Sequence, residues 1–232
     1  MSSQKSPEGL PDAFAQRLRR IVPETHFEAC WASFARPMAT AFRVNRLKAN
    51  VDAVHAELAR AGFSLRPLSW KADAFSIPDE QRRALTESAA FAEGRLYIQN
   101  PSSMIPPIAL DPQPGEEVLD LAAAPGGKTL HMAEMMNNRG RIGAVEAVRK
   151  RFFRLRDNLQ RGGTEIVQTY LKDGASVWRQ CPERFDRVLL DAPCSGEGLF
   201  QLVNPQSFAY WSEKKIAEMA RKQRRLLYSA IQ

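Results

Sequence analysis

E-E-V-L-D-L-A-A-A-P-G-G-K-T, residues 116–129, is the stretch on which the fold turns. Its first six residues form an apolar strand after the Pro114-Gly115 turn. A loop of small residues follows, and Lys128 to Met136 continues as a helix. The same rhythm repeats downstream. R-I-G-A-V-E (141–146) reads as a second strand and Lys150 to Leu159 as a second helix, closed by Gly162-Gly163. Glu165 to Tyr170 reads as a third strand, and D-R-V-L-L-D (186–191) as a fourth. Strands alternating with helices predict an α/β fold with a parallel, doubly wound sheet. In the order 3-2-1-4, ligands sit at the carboxyl ends of strands one and four. The loops that carry Gly126 and Cys194 are expected to converge there.

Upstream the pattern is mixed. Residues 11–21 predict a helix with Phe14, Leu18 and Ile21 on one face and Asp12 as its cap. Ala41 to Leu47 predicts a strand with Phe42, Val44 and Leu47 inward, Val51 to Ala61 a helix stopped by Gly62, and Phe63 to Leu68 another strand. The tract Q-N-P-S-S-M-I-P-P (99–107) reads as a connection. The expected division is an α/β module over 1–105 and a partial second domain over 106–232. The last segment, 212–232, predicts an amphipathic helix capped by Ser212. Its buried stripe is Ile216, Met219, Ala220, Leu226, Leu227 and Ala230.

Composition narrows the class. The chain has 232 residues, 44% hydrophobic and 25% charged, which suits a globular protein and excludes a fibrous repeat. No apolar run reaches the ~18 residues of a membrane span. M-S-S-Q-K-S-P-E-G lacks the apolar core of a secretory signal, so the cytoplasm is the expected compartment. Three cysteines (Cys30, Cys181 and Cys194) are too few for a disulfide framework or a zinc site, and no metal is expected. The formal charge of +7 fits a polyanion-binding surface, and equally a merely solvated one.

The loop over 120–129 carries the chemistry. Small residues allow close backbone approach, and the helix start favours an anionic group. A P-loop needs glycine at position 122, which is alanine. A nucleotide-type cofactor site instead calls for an acid about 20 residues on, at the end of strand two, and Glu146 stands there. Asp173, in L-K-D-G, is either an adenine acceptor or a turn aspartate. D-A-P-C-S-G-E-G (191–198) places Asp191 and Cys194 in a polar turn, where a thiol is a nucleophile or acid/base and not a core residue. Cys30 and Cys181 read as structural.

A-A-A-P-G-G-K-T with D-A-P-C-S-G-E-G resembles the RNA cytosine-5 methyltransferases of the NOL1/NOP2/Sun group, and most closely the bacterial small-subunit rRNA type. F-R-V-N-R-L-K (42–48), Y-I-Q-N-P-S-S-M (97–104) and Q-R-R-L-L (223–227) extend the likeness. The resemblance implies a Rossmann-like sheet binding S-adenosyl-L-methionine, with a small N-terminal RNA-recognition module. Ala122, Ala123, Ala124, Pro125, Gly126, Gly127 and Lys128 would hold the methionine end, Glu146 the ribose and Asp173 the adenine. Asp191 would lie between cofactor and target base, and Lys128 would help ionise Cys194. The expected reaction is methylation of cytosine C5 in RNA, most closely 16S rRNA. In the family a T-C-S cysteine beyond the last helix attacks the base, and the D-A-P-C cysteine assists product release. That T-C-S motif is not in the sequence. Three expectations therefore stand: an inactive fragment of such an enzyme, Cys194 as nucleophile, or an RNA-binding factor without catalysis. A tRNA substrate is the alternative to rRNA. Arg46 stands where the family usually has threonine, and Q-L-V-N-P (201–205) where it has a more polar run.

Overall fold

A computed structural model describes residues 9–36 and 38–232. The segment read as lacking a signal lies almost wholly outside them. In chain order the helices and strands are α1 (Asp12–Ile21), α2 (Glu24–Ser33), β1 (Thr40–Val44), α3 (Val51–Arg60), β2 (Arg66–Leu68) and β3 (Lys71–Ile77). Then follow α4 (Arg82–Glu87), α5 (Ala89–Ala92), β4 (Leu96–Ile98), α6 (Pro101–Leu110), β5 (Glu117–Asp120) and α7 (Gly127–Met135). The last are β6 (Arg141–Glu146), α8 (Arg149–Gly162), β7 (Val167–Leu171), β8 (Arg187–Leu189) and α9 (Glu213–Ala230). They fall into two compact units. The smaller joins the described residues through Met38 to Pro193–Lys222, and the larger joins Ala39–Ala192 to Gln223–Gln232.

The larger unit contains the expected parallel sheet, in the order β7-β6-β5-β8. Val118 of β5 pairs with Ile142 on one side and Arg187 on the other. One face buries Val118, Met132, Met136, Ile142 and Leu189, with Leu130, Leu155 and Leu159 beside them. The other face packs Leu119, Leu121, Val145 and Val177 against Ala230 at the end of α9. The central strands β5 and β6 are therefore covered on both faces, as parallel strands require, while the edge strand β7 has no buried residue.

A second, antiparallel sheet runs in the order β2-β3-β1-β4 and buries Phe42, Val44, Phe75, Ile77 and Leu96 with Val54 and Leu58 of α3. Here the sequence reading needs correction. The first predicted strand stops at Val44 and not at Leu47. The Asn45 side chain turns away to donate to the Gly94 and Gly162 carbonyls, both at 2.8 Å, and its oxygen accepts from the Leu47 amide. The tract over 99–107 is no loose connection. Asn100 accepts from the Ser102 amide, Pro101 takes the first turn, and α6 runs to Leu110. Strand β3 was not anticipated, because Lys71 and Asp73 look solvent-facing. They form a nearly buried ion pair with each other at 2.7 Å.

The smaller unit is held by aromatic packing. Phe14 of α1 and Phe27 and Trp31 of α2 bury against Phe200, with Phe208 and Trp211 alongside. Asp12 is not the cap of α1. The helix starts at Asp12, and Pro11 precedes it without a side-chain bond. Ile21 is exposed. Ser212 does accept from the Lys215 amide at the start of α9. In the expected stripe of that helix Met219 and Leu226 are buried, but Leu227 is exposed and Ser229 takes the buried place, accepting from the Trp178 amide.

Candidate functional site

Parallel pairing of β5 with β6 and β8, and of β6 with β7, brings the carboxyl ends of all four strands to one edge. The residues that follow those ends are the 120–127 loop, Glu146, Asp173 and Asp191. Within the larger unit the sequence-predicted groups thus share one rim of the sheet.

The loop after β5 is shaped from outside and inside. Asp120 is 1% exposed. It accepts from Thr129 Oγ1 at 2.8 Å and from the Ala122 amide at 3.4 Å, which folds the loop back onto the first turn of α7. Burial pushes its carboxyl up to about 6, against the pull of those two bonds and of Lys128. The Ala124–Pro125 peptide is cis. From α8, Arg151 Nη2 donates to the Ala124 carbonyl and Asn158 Nδ2 to the Pro125 carbonyl, each at 2.7 Å. Gly126 has φ 105°, a conformation that favours glycine. At Gly127 a Cβ would lie 2.7 Å from the Tyr97 ring. That glycine is thus demanded by packing against β4, and not only by access for a ligand.

Glu146 ends β6 and is 4% exposed. One oxygen accepts from the Val148 amide at 2.8 Å, and the other lies 3.4 Å from Arg151 Nη1. Arg151 therefore bridges Glu146 and the Ala124 carbonyl. A carboxylate has about four acceptor positions, so Glu146 keeps capacity for two hydroxyl donors such as a vicinal diol. Lys128 Nζ pairs with Asp191 Oδ2 at 2.6 Å. Asp173 accepts from the Ala175 amide at 3.1 Å and lies 3.6 Å from Arg225. The turn reading of Asp173 holds, since it caps a turn, and its side chain stands half-exposed at the rim. Cys194 is exposed and belongs to the smaller unit. Cys181 is half-buried, with its Sγ directed at the Val177 carbonyl.

Residues that sequence reasoning passed over hold this rim in place. Arg43 of β1 is fully buried. It pairs with Glu134 of α7, donates to Gln99 Oε1 at 3.0 Å and to the Gly127 carbonyl at 3.1 Å. F-R-V-N thus ties the antiparallel sheet to the loop after β5. An arginine inside an apolar strand was the available signal, because buried arginine demands partners. Asp120 carried a similar signal as an acid closing a buried strand. Among the described residues no cluster suits a metal ion.

A family profile described as 16S rRNA methyltransferase RsmB/F matches residues 107–232, and one described as the N-terminal domain of 16S rRNA methyltransferase RsmF matches 10–101. The chain is 39% identical over 227 residues to ribosomal RNA small subunit methyltransferase F of Citrobacter koseri, covering 96% of this chain and 47% of that protein. The Cronobacter sakazakii protein of the same name matches equally. The chain spans about half the length of these curated relatives. Among solved structures, a methyltransferase homologue from Pyrococcus horikoshii superposes with TM-score 0.79 at 34% identity, over 95% of this chain and 68% of that one. NSun6 from Pyrococcus horikoshii, solved with SFG, superposes with TM-score 0.85 at 19% identity, over 96% and 80%, and so shares the fold. The chain belongs to the 16S rRNA methyltransferase RsmB/F family.

Proposed function

We propose that this chain is the methyl-donor-binding and RNA-recognising part of an S-adenosyl-L-methionine-dependent enzyme that methylates cytosine C5 in small-subunit rRNA. The proposed division is an RNA-guiding module over 1–105 and a methyltransferase domain over 106–232. The observation that carries this reading is the rim itself. Glu146 is nearly buried yet keeps unused acceptor positions, and Arg151 locks it to the backbone of the Ala124–Pro125 bend.

S-adenosyl-L-methionine, when bound, supplies an electrophilic methyl group. Glu146 accepts from the two ribose hydroxyls, and Asp173 offers its carboxylate to the adenine amino group. The backbone from Ala122 to Gly127 receives the methionine end, with Lys128 at its side. Cytosine C5 becomes nucleophilic once the thiolate of the family's T-C-S motif, which these 232 residues do not contain, has added to C6. A carboxyl group that carries a proton to N3 aids that addition, and this role is assigned to Asp191, whose neighbour is Lys128. Cys194 then serves departure of the product, as a base takes the C5 proton and the C6–S bond breaks to return the attacking thiolate. The target base must be unpaired or flipped outward. The supporting likeness is to proteins named as ribosomal RNA small subunit methyltransferases, of which this chain spans about half. Cytoplasmic residence follows from an rRNA substrate. Among the described residues no helix is long and apolar enough to cross a membrane.

Calorimetry tests the reading. The chain should bind S-adenosyl-L-methionine, and Glu146→Ala should weaken binding about 100-fold. That is ~2.7 kcal/mol, the scale of hydrogen bonds to a charged acceptor. Heat from neither protein would leave an RNA-binding factor without catalysis as the better account. RNA affinity should fall linearly on a log–log plot against salt, with a slope of about −0.7 per phosphate contacted on a single strand. A flat response would remove the phosphate-tracking surface.

A further inference from the structure

The smaller unit holds a cavity of about 690 Å³. Its wall includes Ser195 and Glu197, from the turn that carries Cys194, together with Phe14 and Arg17 of α1 and Phe34 and Arg36 just beyond α2. Ser195 follows Cys194 directly, so the wall begins ~3.8 Å along the backbone from that cysteine.

The cavity has the size of an ordinary ligand pocket, with apolar walls and a few placed polar groups. Ser195 Oγ donates to the Glu197 carboxylate at 2.7 Å, and Trp211 Nε1 donates to it at 2.9 Å. Trp211 in turn stands edge-on to Phe14, with ring centroids 5.6 Å apart. Glu197 is thus fixed in direction before any ligand arrives. Burial pushes its carboxyl up, but the bonds from Trp211 and Ser195 and the charge of Arg17 outweigh this and hold it below the ordinary range. At neutral pH it is ionised and accepts only, and two donors leave part of its acceptor capacity unspent. Arg17 and Arg36 form no ion pair with other described residues, and Ile21 lies exposed beside them. Cationic and apolar groups around an aromatic-walled slot match the phosphate and the flat face of a nucleotide.

We propose that this cavity is a subsite for an RNA nucleotide next to the target cytosine, and that Glu197 there selects a base bearing an exocyclic amino group. The proposal rests on the reading of the Cys194 turn as the place where RNA is modified. Adenine offers an N–H₂ donor to the carboxylate. Uracil offers a carbonyl in its place and leaves two acceptors facing each other.

Fluorescence anisotropy with labelled pentaadenylate and pentauridylate, on the full chain at one salt concentration, tests it. Neither oligonucleotide contains cytosine, so the comparison reads this cavity and not the target-base site. The chain should favour adenylate about tenfold. Glu197→Gln keeps an oxygen for Trp211 and presents an amide N–H₂ to uracil, so the preference should shrink to within about twofold. Arg36→Glu, at an exposed position where folding is not at stake, should weaken both oligonucleotides alike. Equal binding by the unmodified chain, or a preference that survives Glu197→Gln, overturns the proposal. Indifference of both oligonucleotides to both variants assigns the cavity to a protein segment and overturns it too. Calorimetry with S-adenosyl-L-methionine separates the two readings. Discrimination without cofactor heat keeps this subsite and removes methyl transfer, and heat without discrimination does the reverse.

Discussion

Glu134→Ala should lower the unfolding free energy by about 3–5 kcal/mol, the cost of leaving a buried charge without its partner. Arg43 is fully buried in β1, and Glu134 of α7 is its counter-charge. The remaining guanidinium bonds go to Gln99 Oε1 and the Gly127 carbonyl, which are neutral acceptors. Burial pushes the Glu134 carboxyl up and Arg43 pulls it back, and its Oε2 has no hydrogen-bond partner among the described residues. The pair is therefore not a strong net stabiliser, and breaking it is what costs. The double variant Arg43→Met/Glu134→Met should recover most of the loss, since an apolar pair of similar volume is often neutral or better. Urea titrations of the three proteins measure both effects. A single-variant cost below about 1 kcal/mol would show that water reaches Arg43 in solution. The double variant has a second use. It removes the tie to the Gly127 carbonyl, so cofactor affinity should drop even where stability returns.

Asp120 should make the chain less stable as pH rises from about 4 to 6. Its carboxyl titrates near 6 in the fold against 3.8 when unperturbed, chiefly because it is buried. Below pH 3.8 both the folded and unfolded forms are protonated, and the group contributes nothing. Between the two values the unfolded chain ionises first, which favours unfolding. Above pH 6 the full penalty is present. A difference of 2.2 units, from 6 − 3.8, corresponds to about 3 kcal/mol. Asp120→Asn carries no charge, and with its oxygen toward the Ala122 amide it presents an N–H₂ that the Thr129 hydroxyl can accept. The variant should therefore match the unmodified chain at pH 4 and exceed it at pH 7. Equal slopes of stability against pH for both proteins would place the titration elsewhere. A buried acid that costs stability at neutral pH has a local counterpart in function. It binds Thr129 and the Ala122 amide at once and so sets the bend of the loop from Ala122 to Gly126.

His131 presents the opposite case. Burial, with the charges of Arg43 and Lys71, holds it down to about 2, so it stays neutral throughout the working range. It adds no charge between the sheet and α7, where Arg43 already needs compensation.

The order of the parallel sheet was legible from residues 116–191 alone. Apolar strands buried on both faces write themselves as continuous runs, and right-handed crossovers leave few ways to connect them. Glu146 was legible because the distance from a strand end to the next one is set by one helix and two turns. The antiparallel sheet was only half legible. Its strands include Arg43, whose charge is cancelled by Glu134 91 positions away, and Lys71 and Asp73, which cancel each other inside one strand, so hydropathy could not place them. Ile21 and Leu227 fit a helical period yet face outward, because a period locates a face and not what covers it.

From the local pattern of apolar residues and glycines, the sequence by itself determined the strand–loop–helix rhythm, the rim that gathers the loop after β5 with Glu146, Asp173 and Asp191, and the family to which the chain belongs. Tertiary structure alone decided that Arg43 reaches Glu134 and the Gly127 carbonyl, that Gly127 makes room for Tyr97, that Lys128 pairs with Asp191 and that Glu197 is pinned by Trp211. Each of these joins residues between 14 and 91 positions apart. Pairing at such distances depends on which surfaces meet once the chain has collapsed, and no local preference encodes it.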